Sequence, residues 1–296
     1  MKMEKHLLLA ISDEISASYS LRFVKGMIGD FHSTRLTLLY IAPRAQHWNL
    51  GTQEMHPPPK VADEITGIKN SRGGQALHQA KQWLVDYAGC VPDMVESKII
   101  TSRKGTVLEI IDEARSGLYD AVVLGRRGYS WFEGLFENSV AHSILWEAID
   151  FPLWICRRQP LEPNRNVLLC IDGSDAGTRM ADHVGFMLGE QERHKVMIFH
   201  VAEKKQPFGD KVDEIFNRAD KILKENGLPE ELIEFKAVRS GNIAKAVVAE
   251  QTQGQYAAIA LGKRDDAPAR MENIFPSSLC IRLLRMVENT ALWIGK

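Results

Sequence analysis

Short apolar runs alternate along the chain with longer stretches in which apolar residues recur every three or four positions. The first run, His6 to Ile11, is followed by Ser12-Asp13-Glu14 and a helical pattern through Tyr19, Leu21 and Phe23. Val167 to Ile171 repeats that plan, with Asp172-Gly173-Ser174-Asp175 after it and a helical pattern through Met180, Val184 and Met187. A second run, Leu36 to Ile41, matches Val196 to Val201. Ser97 to Thr101 leads into a predicted helix over Val107 to Ala114, as Phe235 to Val238 leads into one over Ile243 to Glu250. Tyr119 to Gly125 parallels Tyr256 to Gly262, and Phe151 to Cys156 closes the first half as Thr290 to Ile294 closes the second. Strand-length apolar runs alternating with helical stretches are the pattern of βαβ units, whose parallel sheet is covered on both faces. The expectation is an α/β chain of two similar halves, each with about five strands flanked by helices.

Pro160 and Pro163 interrupt any regular element between Arg157 and Arg165, so that stretch reads as the linker. The expected domains are residues 1–159 and 160–296. The halves differ most after their second strands. The first has Pro43 to Lys60, including Pro57-Pro58-Pro59, where the second has only Ala202 to Asp210, so a surface excursion is expected there.

Composition narrows the functional classes. Among 296 residues, 37 Lys+Arg stand against 38 Asp+Glu, a net charge of −1 that offers no general attraction to nucleic acid or acidic lipid. The longest apolar stretches, such as Leu7 to Ile11 and Ala257 to Leu261, are far below the roughly 18 residues a membrane helix needs. The apolar segment after Lys2 and Lys5 ends at Ser12-Asp13-Glu14, too early for a secretory signal, so a cytoplasmic protein is expected. Cys90, Cys156, Cys170 and Cys280 form no C-x-x-C pair and read as reduced core thiols. The nine histidines include no H-x-x-x-H or H-E-x-x-H, so no metal site is expected, and no nucleophile elbow is present. Trp83, Trp146, Trp154 and Trp293 occupy apolar-periodic or strand positions that suit packing better than ligand stacking.

In an open parallel sheet, ligands bind beyond the carboxyl ends of strands, where strand order reverses. After the fourth strand of half one comes Gly125-Arg126-Arg127-Gly128, then nine residues, then Asn138-Ser139-Val140 opening an apolar-periodic helix. Two glycines allow close backbone approach, and a hydroxyl among the unpaired N–H groups of a helix start suits a phosphate. Asp172 to Asp175 fits either a ligand role or a plain turn and helix cap.

These features together resemble the universal stress protein family in its tandem form. Nucleotide-binding members carry G-x2-G-x9-G-[ST] after the fourth strand. Gly125, Gly128 and Ser139 match it in register, with Asn138 in the place of the last glycine. Asp172 to Asp175, Glu133-Gly134-Leu135 and Pro152 before the closing strand extend the resemblance through both halves. The resemblance implies two Rossmann-like, adenine nucleotide alpha hydrolase-like domains, no established catalysis, and a stress-response role. In motif-bearing halves it implies ATP or a related adenine nucleotide, with Mg²⁺ as a companion ion.

Carried over residue by residue, the family pattern assigns the adenosine end in half one to Ser12, Asp13 and Ile41, with Ser12 directly opposite Asp172. Gly125, Gly128, Asn138, Ser139 and Val140 would cradle the phosphates, and Arg126 or Arg127, neither required by the motif, would add charge at the phosphate end. Half two keeps Asp172, Val201 and Gly262, but Lys263-Arg264-Asp265-Asp266 follows, and the nearest equivalent of Asn138-Ser139 is Ser277-Ser278. Two carboxylates there repel a triphosphate, so half two is expected to be degenerate. Three readings follow: a nucleotide-responsive regulator with an unknown protein partner; a scaffold that pairs through Leu153 to Cys156 and Leu292 to Ile294; and a slow ATPase. Pairing of the closing strands would make either a homodimer or a pseudo-dimer within one chain.

Overall fold

The computed structural model describes residues 4–12, 17–29, 31–43, 71–125, 150–158, 164–189, 191, 193–203, 209–263 and 279–295. In half one, β1 (Lys5–Ile11), α1 (Ala17–Met27), β2 (Thr34–Ala42), α2 (Arg72–Trp83), β3 (Val95–Thr101), α3 (Thr106–Ser116), β4 (Ala121–Gly125) and β5 (Leu153–Cys156) follow in order. Half two repeats the series with β6 (Val167–Cys170), α4 (Asp175–Leu188), β7 (Val196–Ala202), α5 (Asp210–Glu225), β8 (Ile233–Arg239), α6 (Ile243–Gly254), β9 (Ala258–Gly262), α7 (Leu279–Met286) and β10 (Ala291–Gly295).

The ten strands among the described residues form one sheet in the order β3-β2-β1-β4-β5-β10-β9-β6-β7-β8. Each half is parallel throughout, and the two meet through an antiparallel pairing of β5 with β10, Trp293 opposite Trp154. The two five-stranded sheets expected from the pattern are therefore halves of a single sheet. Leu153–Cys156 and Leu292–Ile294, expected as an exposed edge, are fully buried against each other.

The unbroken apolar runs arise because both faces are covered. Along β1, Leu7 and Leu9 face one core with Phe23 and Leu77, while Leu8 faces the other with Ile110 and Val122. The first core continues into half two through Met180 and Leu223, the second through Leu168, Val247 and Leu283. Neither half therefore buries its apolar surface alone.

Both halves fasten their outer strand in the same way. Glu113, 6% exposed, accepts from Tyr119 Oη at 2.8 Å and Lys98 Nζ at 2.6 Å. Glu250, also 6% exposed, accepts from Tyr256 Oη at 3.1 Å and pairs with Lys236 Nζ at 2.5 Å. Each buried carboxylate on a helix is thus satisfied by a phenol and by an ammonium from the edge strand, β3 or β8, which also puts a charge on an otherwise open strand edge. Burial, reinforced by Glu113, pushes the Tyr119 hydroxyl up to about 12.

At the centre of the seam the Trp154 and Trp293 rings stack 4.0 Å apart with an interplanar angle of 1°. Phe23 and His183, which occupy matching places on α1 and α4, meet both indoles edge-on at 5.9–6.2 Å. The symmetry breaks at the polar atoms. Trp154 Nε1 donates to His183 Nε2 at 3.0 Å, whereas Phe23 offers Trp293 no acceptor and Trp293 Nε1 has no partner among the described residues. An indole N–H only donates, so His183 is neutral with its proton on Nδ1. Burial lowers its pKa from 6.5 to about 3.

The unfolded chain therefore takes up a proton at this residue near pH 6.5 that the folded protein refuses until about pH 3, and the stability His183 contributes above pH 6.5 is lost as pH falls through that window. Replacing His183 with Phe, as in half one, removes this linkage. Urea denaturation of His183→Phe should show a stability-against-pH slope shallower than wild type by about 1.4 kcal/mol per pH unit between pH ~6 and ~4. Identical slopes would show that the imidazole charges in the folded state.

Candidate functional site

Strand order reverses between β1 and β4 in half one and between β6 and β9 in half two, so each half has a crevice beyond those carboxyl ends. Ala10 lies beside Leu124, so Ser12 and Gly125 come to the same edge. Ile41 reaches that edge on β2, where Ile11 is registered with Tyr40. All three are half-buried. Asp13, Arg127, Gly128, Asn138, Ser139 and Val140 lie outside the described residues.

In half two, Cys170 lies beside Leu261, which brings Asp172 and Gly262 to one edge, and Val201 joins them near the end of β7. Ser277 and Ser278 lie outside the described residues. His200, on β7, holds the end of β6 through a 2.9 Å hydrogen bond between Nδ1 and the Ile171 carbonyl. Because β5 and β10 run antiparallel, the carboxyl ends of the two halves face opposite ways and the two crevices open on opposite edges of the sheet.

The turn from β6 into α4 is built by local hydrogen bonds. Gly173 takes a positive φ of 82°. Asp172 Oδ1 accepts from Ser174 N at 3.0 Å and from Ser174 Oγ at 2.6 Å. Ser174 Oγ in turn accepts from Gly177 N at 3.2 Å as the N-cap of α4. The turn-and-cap alternative read from Asp172 to Asp175 is thus the geometry present. Gly262 presses directly on this turn, since a Cβ there would lie 2.3 Å from the Ala176 carbonyl carbon and 2.6 Å from Gly177 N. That glycine is required by close backbone approach, a role distinct from phosphate contact.

Beside Asp172 a cleft of about 430 Å³ opens between α4 and α5. Ile171, Ile215, Ala219 and Ile222 form its apolar side, and Lys211, Glu214 and Arg218 stand on its α5 rim. Neither Val201 nor Gly262 lines it, so it is displaced from the crevice toward the helices. Sequence reading missed these α5 residues. The signal was available in the four-residue steps Lys211, Ile215, Ala219, which place a cation and an apolar stripe on one helical face.

The four cysteines are free thiols. Burial pushes Cys90 up to about 12 and Cys280 up to about 11, so neither presents a thiolate at neutral pH. Among the described residues no group of three or more His, Cys, Asp or Glu is placed to hold a metal, and no helix is long and apolar enough to cross a membrane.

No model of a known protein family matches the sequence, and no curated protein matches it. Solved structures do. A universal stress protein from Archaeoglobus fulgidus DSM 4304 is similar over 98% of this chain and 98% of its own, with TM-score 0.66 at 18% identity. The fold is that of the universal stress proteins. A functionally unknown protein from Pseudomonas aeruginosa PAO1 is similar over 100% of this chain and 93% of its own, with TM-score 0.53 at 11% identity. Coverage of both partners nearly end to end means that the universal stress protein fold accounts for both halves of this chain together.

The contact at Gly262 gives a direct test of the half-two turn. Gly262→Val places side-chain carbon against backbone that cannot swing away, and should cost more than about 3 kcal/mol in urea denaturation, whereas Gly209→Val, where nothing lies within 4 Å of the added carbon, should cost under about 1 kcal/mol.

Proposed function

We propose that the chain is a tandem universal stress protein that binds one adenine nucleotide, ATP with Mg²⁺, at the switch point of half one and acts as a ligand-responsive stress regulator in the cytoplasm. The supporting observation is the position of Gly125. This residue opens the G-x2-G spacing, ends β4 where strand order reverses, and stands at the same edge as Ser12 and Ile41. Gly128, Asn138, Ser139 and Val140 would supply phosphate-binding backbone, and Arg127 a charge. Adenine enters this reading through the family, because a phosphate loop reads no base. Bound nucleotide changes the output only to the extent that two states of the protein, or of its complex with a partner, bind it unequally. Catalysis forms no part of the proposal.

The scaffold reading draws on one observation, the β5–β10 pairing, but that pairing consumes both closing strands within the chain. A homodimer through the same edge would have to open the buried Trp154–Trp293 stack. The pseudo-dimer is therefore favoured over the homodimer.

Calorimetric titration of nucleotide-stripped protein with Mg·ATP tests the reading. Saturable binding near one per chain in wild type is expected, with a loss of at least about 100-fold in affinity in Gly128→Asp, which sets a carboxylate against the phosphates. Absence of heat at millimolar ATP would overturn the proposal and leave the scaffold. Phosphate release by wild type above a Ser139→Ala control would replace it with the slow ATPase.

A further inference from the structure

The cleft between α4 and α5 has a chemistry of its own. One side is apolar, made by Ile171 at the end of β6 and by Ile215, Ala219 and Ile222 along α5. Its rim carries two cations, Lys211 and Arg218, and two carboxylates, Asp172 and Glu214, so its lining is electrically balanced and has no bias toward a polyanion. Helix α5 sets Lys211, Glu214 and Arg218 one turn apart on the ridge above the apolar residues. Lys211 and Glu214 make no ion pair among the described residues, and Arg218 reaches only the exposed Asp175, at 3.6 Å. Lys211 and Glu214 thus stand one helical turn apart with no ion pair among the described residues, above an apolar surface, around about 430 Å³, a volume within the range of small-molecule sites. Across from them the α4 side contributes only small residues, Gly173, Ser174, Gly177 and Thr178, with the Ile215 side chain packed against Gly173.

We propose that this cleft binds a zwitterion with a large apolar body, the class of the apolar α-amino acids. The ligand carboxylate meets Lys211 and Arg218, its ammonium meets Glu214, and its side chain covers Ile215, Ala219 and Ile222. Charge-assisted contacts at both ends, set against an apolar floor, discriminate a zwitterion from a molecule carrying either charge alone. The site lies apart from the half-one nucleotide site proposed above; it shares Asp172 with the adenosine end that the resemblance implies for half two, but neither Val201 nor Gly262.

The test is calorimetric titration of the full chain with L-phenylalanine and with two analogues that each lack one charge, phenethylamine and 3-phenylpropionate. Saturable binding of L-phenylalanine is expected, with each analogue at least about tenfold weaker. Lys211→Gln should weaken L-phenylalanine about tenfold and leave phenethylamine unchanged, while Glu214→Gln should weaken L-phenylalanine about tenfold and leave 3-phenylpropionate unchanged. Both side chains are exposed on α5, so neither change threatens folding. Equal binding of all three probes, or no heat with L-phenylalanine at about 20 mM, overturns the proposal. Gly128→Asp should bind L-phenylalanine as wild type does, so failure of ATP binding and failure of this site are read separately.

Discussion

The antiparallel pairing of β5 with β10 is the constraint on which the rest of the molecule depends. Each parallel half ends in a strand whose outer edge needs a partner, and the chain supplies it from its own other half. The stacked indoles at the centre fix the register, because a shift of one residue would turn both rings to opposite faces. Other contacts then cross the same boundary. Arg157, just beyond β5, donates from Nη2 to the Leu284 carbonyl in the last turn of α7, where a cation meets the negative end of the helix. Burial lowers its pKa to about 10, which leaves it charged at neutral pH. Lys5 donates to the Met187 carbonyl near the end of α4 at 3.2 Å, and Gln191 accepts from Gly29 N at 2.7 Å. The two halves are therefore tied by hydrogen bonds on both sides of the shared sheet.

The repeat is faithful in its mechanics and divergent where ligands would be met. The Tyr–Glu–Lys fastening recurs residue for residue at Glu113 and Glu250. By contrast, at the strand ends Ser12 stands where the other half has Asp172 and Tyr40 where it has His200, and the buried seam differs too, with Phe23 where the other half has His183. Among the described residues, only Trp154 of the two stacked tryptophans has a hydrogen-bond acceptor. A fold can hold two crevices of different chemistry in this way because the crevice residues lie beyond the strand ends and contribute little to the sheet.

Much of the fold was legible because its causes are local. Runs such as Leu7 to Ile11 are apolar on both faces because helices cover both, and that pattern is visible in one dimension. The single sheet was not legible, since Leu153–Cys156 and Leu292–Ile294 read identically as free edges or as each other's partner. The pairing of strands separated by over a hundred residues is decided by shape and burial, which leave no periodicity. At the site, the positions of Ser12, Ile41, Gly125, Asp172, Val201 and Gly262 at strand ends followed from topology alone. The packing role of Gly262 did not, because a glycine pressed on a helix backbone and a glycine facing a phosphate look the same in sequence. Lys211, Glu214 and Arg218 were passed over because exposed charges on an amphipathic helix usually mark a solvated face.

The seam also imposes an order in time. Pairings from β1 to β5 need no residue beyond 156, but the outer edge of β5 finds its partner only when Ala291 to Gly295 follow. At ribosomal speeds of about 5–20 residues per second, that interval is on the order of ten seconds. Throughout it the nascent half displays an unpaired strand reading Leu-Trp-Ile-Cys, the kind of edge that another nascent chain can join. Translation pauses within half two should therefore lengthen the exposure, and chaperone occupancy on ribosomes should rise after β5 emerges and fall once β10 is released.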